Sequence, residues 1–320
     1  MIRIVIIAAL FFLGACQQAT TTDTPATTTS PKATATATAS KEFGPAKGLD
    51  KYWYEGKAEI SRYELSQNRY RDVHPGQAVL IFVTEDFLTD KQVKNDNYRN
   101  PNSVPILKTN LIRTFPTGIY DYSIMTSVFT PVGKADYPNT LKVTTTAQDW
   151  CGHAFMQLNL EEDNYRSTIH SYFENEADQV NKVPIRILED ELFNRVRISP
   201  SSLPTGKHEV LPSTVFARLR HIKFQPLPAQ LSLTAYTEST FEGQNLQVYT
   251  VEYPSLKRTL EIIFEKEAPY EIVGWTDSYP SAFDGQIRTS VAKKTHQVKQ
   301  AYWSNNALSD MALREKLGLD

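Results

Sequence analysis

The chain has 320 residues, 34 Lys and Arg against 36 Asp and Glu, and 41% hydrophobic residues. This is enough apolar material for a folded core, and it excludes a wholly disordered chain. A net charge of −2 argues against a nucleic-acid-binding protein, which is usually strongly basic. Two cysteines are too few for a disulfide-rich scaffold or for a zinc site built from several thiolates.

The first sixteen residues have the pattern of a lipoprotein signal. Arg3 gives a positive start, residues 4–13 are an unbroken apolar run, and Leu13-Gly14-Ala15-Cys16 closes it. A membrane-spanning helix needs about 20 apolar residues, so the run is too short to be one. Its length matches the apolar core of a signal peptide, which has about 7–15 residues. The closing string resembles a bacterial lipobox, in which the cysteine receives a diacylglycerol on sulfur and becomes the new N-terminus. We therefore predict a signal peptide over 1–15 and lipidation of Cys16; the alternative is an ordinary secretory signal that contains a cysteine.

A polar tether is predicted over residues 16–47. Residues 17–40 are almost wholly Thr, Ala, Ser, Pro and Gln, and such a stretch cannot offset its ordering entropy by burial, so we expect it to be disordered. A flexible chain of this length has an r.m.s. reach of about 25–30 Å. No acidic cluster follows Cys16, which favours, by analogy with lipoprotein sorting rules, an outer-membrane-anchored protein facing the periplasm.

Residues 48–320 read as a β-rich domain. Runs such as 78–84 are continuously apolar and β-branched, whereas 155–160 alternates with period two, and turn residues separate the runs. We predict a mainly β fold, with one large, mostly antiparallel, curved sheet (barrel-like or sandwich) and a few short helices. A seam near 200–206 would divide it into two halves. The other predicted strands lie within 53–65, 106–115, 120–130, 140–146, 165–173, 230–236, 246–253, 259–264, 270–276 and 286–298.

Three short helices are predicted. The first lies around residues 189–193, and the second covers 212–219 with Ser213 as its N-cap. The third is a terminal helix over 308–317, with Ser309 in the capping position and Gly318 as its stop.

Three strings carry a family resemblance: residues 53–59 (Trp-Tyr-Glu-Gly-Lys-Ala-Glu), 76–85 (Gly-Gln-Ala-Val-Leu-Ile-Phe-Val-Thr-Glu) and 148–153 (Gln-Asp-Trp-Cys-Gly-His). They resemble an uncharacterised family of Bacteroidetes-type lipoproteins, some of which carry the label septum formation inhibitor Maf. True Maf-type nucleotide pyrophosphatases are cytoplasmic α/β proteins that open with a strand and a Ser-x-Ser-Pro-Arg-Arg loop. Residues 199–202 (Ser-Pro-Ser-Ser) lack the arginines of that loop and lie far from the start of the chain. The resemblance therefore implies a lipoprotein and no established activity.

The most suggestive catalytic constellation is Asp149-Trp150-Cys151-Gly152-His153. A thiolate nucleophile needs a nearby imidazole, and residues two apart on a strand share a face, so His153 could activate Cys151 while Asp149 orients the ring. The alternative is a buried free cysteine beside a hydrogen-bonded histidine in a β-turn.

No metal site and no cofactor is expected. The six histidines are scattered, with no His-x-His or His-x-x-x-His pair. Residues 161–163 (Glu-Glu-Asp) lack the alternating acidic spacing and the central glycine of a calcium loop, and they read as a solvated hairpin turn.

Aromatic residues suggest a second kind of site. The candidates for a sugar-stacking or peptide-contact surface are Tyr52, Trp53, Tyr54, Tyr120 and Tyr122. The alternative is cross-strand aromatic packing within the sheet.

Two functional hypotheses follow. The first is a lipid-anchored envelope protein, held to the membrane through Cys16, that binds a protein, glycan or lipid partner without catalysis. The second is a periplasmic hydrolase or thiol enzyme that uses Cys151 and His153. A polar cleft with Cys151 exposed beside His153 would favour the enzyme, whereas a cavity inside a curved sheet would indicate a lipid or another apolar ligand.

Overall fold

The computed structural model describes residues 48–319, and the predicted signal peptide and the whole of the predicted tether lie outside this part of the chain. Fifteen strands form one sheet, in the order β8-β7-β6-β5-β4-β3-β2-β1-β15-β14-β13-β12-β11-β10-β9. The predicted mainly β fold is therefore confirmed. The strands are β1 Ala58–Arg69, β2 Asp72–Leu88, β3 Ser103–Thr117, β4 Tyr120–Pro131, β5 Lys142–Asp149, β6 Gly152–Leu160, β7 Asn164–Ser171, β8 Gln179–Pro184, β9 Ile187–Leu188, β10 Gly206–Leu211, β11 Leu227–Ala235, β12 Leu246–Tyr253, β13 Arg258–Glu265, β14 Ile272–Pro280 and β15 Ile287–Gln300.

The sheet consists of two runs of strands joined through β1 and β15. The first run, β1–β8, is a series of antiparallel hairpins, and the second run, β9–β15, returns so that β15 pairs with β1. The pairing of β9 with β10 is parallel. The two runs meet in sequence at residues 185–186, and residues 200–206, where a seam was predicted, supply a short 3-10 helix and the first residue of β10.

The sheet is strongly curved. Its two outer strands, β8 and β9, are separated in sequence by two residues, and a chain of this length spans only about 10 Å. The far ends of the sheet must therefore come close together. Val183 of β8 and Leu188 of β9 belong to the same apolar cluster as Val128 of β4 and Val143 of β5, so the outer strands share a core with the middle of the first run.

A charged segment runs through the interior of the sheet. It comprises a 3-10 turn, Glu189–Glu191, and the helix α1, Leu192–Ile198. The first six residues of α1 are all buried, whereas a helix at a protein surface normally exposes one face. Its hydrogen-bond partners include residues of β1, β3 and β13.

Buried ion pairs attach this interior segment to both runs of strands. Near its start, Glu189 accepts two hydrogen bonds of 2.6 Å from Arg258 of β13. Near its end, Arg197 donates a hydrogen bond of 2.7 Å to Glu59 of β1, and both of these side chains are 1% exposed. An unpaired buried charge is costly, so the interior segment fits only where both partners are in place.

Polar contacts also fix the middle of the segment. Glu191 accepts hydrogen bonds from Arg195 (2.8 Å) and from Thr140 (2.6 Å). Asn194 accepts a hydrogen bond from Thr109 of β3 and donates one of 2.8 Å to the carbonyl of Leu107. The interior is thus a hydrogen-bonded network as well as an apolar core.

The other helices agree partly with the sequence. The helix α2, Thr214–Arg220, begins at the predicted N-cap, because the Ser213 hydroxyl accepts hydrogen bonds from the backbone N–H of Val215 and Phe216. The terminal helix is instead two short 3-10 helices, Leu308–Leu313 and Glu315–Leu317, and its N-cap is Ala307, so the predicted cap at Ser309 is wrong. Gly318 does end it, with a left-handed φ of 60°. Within residues 48–319, no helix is long and apolar enough to cross a membrane.

Removing one partner of the Arg197–Glu59 pair should destabilise the fold. We expect Arg197→Met to lower the free energy of unfolding by about 3–5 kcal/mol, since it leaves Glu59 buried and unpaired. The double variant Arg197→Met/Glu59→Leu should cost much less than the sum of the two single variants. Urea unfolding curves measure all three.

The control for this prediction is Arg166→Met. Arg166 pairs with Glu161 at 3.2 Å, but the two side chains are 49% and 38% exposed, so the loss should be at most about 1 kcal/mol. Equal costs for Arg166→Met and Arg197→Met, or simple additivity in the double variant, would contradict the proposed importance of the buried pair.

Asp190, in the same interior segment, should make stability depend on pH. Burial, reinforced by the neighbouring charge of Glu189, raises the pKa of Asp190 from 3.8 to about 6, although hydrogen bonds from Thr214 act in the opposite direction. The folded state therefore binds this proton more tightly than the unfolded state does. The resulting stabilisation is complete below about pH 4 and is lost as the pH rises through about 6.

Asp190→Asn removes this titration. Relative to the parent, the variant should gain on the order of 2 kcal/mol in unfolding free energy between pH 4 and pH 7. Urea titrations at several pH values test this, with Glu162→Gln, an exposed carboxylate on the β6–β7 turn, as the control. A gain that is the same at both pH values would show that Asp190 does not titrate in this range.

Candidate functional site

The main candidate site is a cavity of about 550 Å³ between the inner face of strands β5–β8 and a cover formed by α2 and residues 221–226. We call residues 221–226 the roof segment. This volume lies within the range of about 300–1,000 Å³ that is usual for small-molecule sites. The cavity is therefore large enough for an organic ligand.

Small side chains create the space. Ala147 of β5 and Ala154 of β6 are directly paired across the hairpin, and both are buried and line the cavity. Thr145 and Ser167, from β5 and β7, are buried side chains that line it as well. Larger side chains such as Leu or Phe at these positions would fill the space above the strands, whereas these small side chains leave it open.

The deeper lining is apolar. Met156, Ile169, Val183 and Phe224 line the cavity and also belong to, or pack against, the apolar cluster that joins the outer strands. Phe224 comes from the roof segment, so its ring packs the cover against the sheet. An apolar part of a ligand would bury its surface here.

Polar contacts hold the roof segment to the turn between β7 and β8. His221 ends α2 in a left-handed conformation with a φ of 51°, and its Nδ1 lies 2.5 Å from a carboxylate oxygen of Glu176. The rings of His221 and Phe173 meet edge to face, 4.8 Å apart. Ser171 donates a hydrogen bond to Glu176. Glu176 thus joins the turn to the cover.

Glu176 is held as a carboxylate by its neighbours. Burial alone would raise the pKa of Glu176, but hydrogen bonds from Ser171 and His221 and the positive charges of Arg218 and His221 lower it. Glu176 is therefore ionised near neutral pH and forms an ion pair with Arg218 of α2.

The structure places the predicted catalytic residues elsewhere. Cys151 lies in the turn between β5 and β6. The backbone N–H of Cys151 donates a hydrogen bond of 2.7 Å to the Asp149 carboxylate. The thiol is exposed, so the expectation of a buried cysteine is wrong. The Asp149 carboxylate raises the pKa of Cys151, which disfavours the reactive thiolate. His153 is an exposed residue of β6, and a catalytic role for this group stays a prediction.

The aromatic candidates are divided between core and surface. Trp53 and Tyr122 are 4% and 3% exposed and belong to the main apolar core. Tyr52 and Tyr120 pack against the same core, and Tyr54 is 57% exposed. The faces of Trp53 and Tyr122 are therefore used in packing, and a contact surface formed by these five residues stays a prediction.

Two further cavities differ from the main site. One has a volume of about 40 Å³ and lies beside the interior segment, with Arg113, Asp190 and Asp277 in its lining; it admits only about three water-sized molecules. The other has a volume of about 670 Å³ and is lined only by residues between 88 and 100, so a single segment within and beside the β2–β3 loop forms it. No group of three or more His, Cys, Asp or Glu side chains suited to a metal ion occurs in residues 48–319.

Sequence reasoning did not identify the main cavity. Its wall depends on alanines that pair across a hairpin, and this pairing is known only once the register is fixed by the turn at 150–151. Cys16, the predicted lipidation site, lies outside the described residues.

No family model matches the chain, and no curated protein matches it. Among solved structures, it is similar to a β-barrel-like protein of a domain of unknown function, DUF1849, from Brucella abortus, with a TM-score of 0.39 and 7% sequence identity over 79% of this chain and 99% of the other.

Proposed function

We propose that this chain is a lipid-anchored envelope protein, outer-membrane-attached and facing the periplasm, that binds an apolar or amphipathic small molecule without catalysis. The observation that carries the binding role is the cavity of about 550 Å³ under α2 and the roof segment. The N-terminal pattern ending at Cys16 and the resemblance to lipoproteins support the anchor.

The contents of the cavity favour binding over the alternative thiol enzyme. Its deep lining is apolar, with Met156, Ile169 and Val183, and polar side chains such as Asn175 and Gln179 contribute at the β7–β8 turn and the start of β8. This division suits a ligand with an apolar body and a polar end. Cys151 and His153 are not among the residues that line the cavity, so a thiol reaction would have to occur outside it.

The tether suits a binding protein that works close to a membrane. The predicted tether, with an expected r.m.s. reach of about 25–30 Å, would leave the domain free to rotate. Several acyl chains on Cys16 would make the attachment lasting, because a single chain binds only marginally. We therefore propose that the domain holds its ligand within reach of the membrane to which it is attached.

Filling the cavity should abolish binding of an apolar probe. In the proposed account, N-phenyl-1-naphthylamine binds to the parent protein with increased fluorescence, and Ala154→Phe weakens binding at least about tenfold, since the new ring occupies the space beside Ala147. Fluorescence titration measures the dissociation constant, and thermal unfolding shows whether the variant is folded.

Ala235→Phe is the matched control, because Ala235 is an exposed residue at the end of β11. It should bind the probe as the parent does. If a folded Ala154→Phe variant binds the probe as tightly as the parent, the cavity is not the binding site.

The anchor is tested by metabolic labelling. Palmitate label should enter the parent and the Cys151→Ser variant, and should be absent from Cys16→Ser, because the acyl chains are proposed to be on the cysteine at position 16. Cys16→Ser should also leave the membrane fraction. Label that persists in Cys16→Ser, or that is lost in Cys151→Ser, would contradict this assignment.

A further inference from the structure

The cavity carries an excess of positive charge. Lys182, Arg218 and Lys223 line it, and Glu176 is the only Asp or Glu among its lining residues. Glu176 already contacts Ser171, His221 and Arg218, which leaves Lys182 and Lys223 without an acidic partner among the described residues. Most of the positive charge at the cavity is therefore left without an acidic partner in the lining.

Arg218 is held in place but only partly satisfied. Its guanidinium lies 4.8 Å from the centre of the Phe173 ring and 3.1 Å from Nδ1 of His221, and its ion-pair distance to Glu176 is 3.5 Å. Its Nε is buried and has no hydrogen-bond partner among the described residues. A guanidinium presents its donors as a fork that matches a carboxylate or a phosphate, so an anionic group would complete its hydrogen bonding.

Ser167 gives independent evidence for a ligand. It is 1% exposed, it lines the cavity, and its Oγ has no hydrogen-bond partner among residues 48–319. A buried hydroxyl without a partner is costly. A polar atom of a bound molecule would supply that partner from within the cavity.

From these contacts we infer that the cavity binds an amphiphile whose apolar chain lies on the apolar side chains of β6–β8 and whose anionic head group, a carboxylate or a phosphate, contacts Ser167, Arg218 and Lys223. This inference rests on the proposed binding function and adds the charge class of the ligand. Arg218 supplies directed hydrogen bonds, whereas Lys223, which is exposed on the roof segment, supplies charge. Lys182, on the outer strand β8, adds a second ammonium group.

The test compares head groups on one chain length. Dodecanoate, dodecyl phosphate, dodecanol and dodecylamine compete with the fluorescent probe for the full-length protein, below the concentrations at which they form micelles. Dodecanoate or dodecyl phosphate should bind on the order of tenfold more tightly than dodecanol, and dodecylamine should bind most weakly. The two anions also distinguish a carboxylate from a phosphate head group.

Variants locate the head group. Arg218→Gln should weaken binding of the preferred anion on the order of tenfold and leave dodecanol unchanged. Lys223→Gln provides a second variant that is safe for folding, since Lys223 is exposed, and it should reduce anion binding by a smaller factor. Lys266→Gln, an exposed lysine in the β13–β14 turn, is the matched control and should have no effect.

The outcomes separate the two proposals. If anions and dodecanol bind equally well, and Arg218→Gln and Lys223→Gln change neither, the head-group assignment is overturned while the binding cavity stands. If the probe binds but none of the four compounds displaces it, the inferred amphiphile is likewise overturned while the binding cavity stands. If the probe does not bind, the proposed function fails with the inference.

Discussion

A charged segment inside a curved sheet is the constraint on which this structure depends. Glu189 is paired with Arg258 of the second run of strands, and Arg197 is paired with Glu59 of the first. Charges in an apolar interior are tolerated only when they are paired and hydrogen-bonded. The two runs must therefore curve round the same segment, and its partners on β1 and β13 set how closely they approach.

The same segment positions the candidate binding site. Asp190 accepts hydrogen bonds of 2.9 and 2.8 Å from the backbone N–H and the hydroxyl of Thr214, at the start of α2. Thr214 also contacts Thr145 of β5 at 2.7 Å. The helix is thus fixed over β5, and its far end, at His221, leads into the roof segment. The interior charges and the cavity cover belong to one connected hydrogen-bonded structure.

Much of the fold follows from the sequence, because strand signals are local. All twelve predicted runs overlap strands, namely β1 to β7 and β11 to β15, and Ser213 caps α2 as its position suggests. The strands that were not predicted are β8, β9 and β10. In β8, Val183 is the only buried residue, so the strand lacks the alternation of a half-buried strand, and β9 is too short to give a pattern.

The interior segment and the cavity could not be predicted in the same way. The sequence of α1, Leu-Phe-Asn-Arg-Val-Arg-Ile, has the charges of a surface helix, and only its partners on distant strands show that Arg197 is buried. The cavity arises because Ala147, Ala154 and Ser167 come together from three strands. Each is unremarkable in its own segment, and their shared position is a tertiary property.

The claim that a ligand binds under α2 and the roof segment is tested most directly by the NMR signal of the Met156 methyl group. Met156 lines the cavity, whereas Met125 and Met311 are 36% and 59% exposed and do not line it. In protein labelled with [¹³C-methyl]methionine, saturating dodecanoate should shift the Met156 signal and leave those of Met125 and Met311 in place. If Met156 does not move, or if all three signals move together, a ligand site under α2 and the roof segment is contradicted.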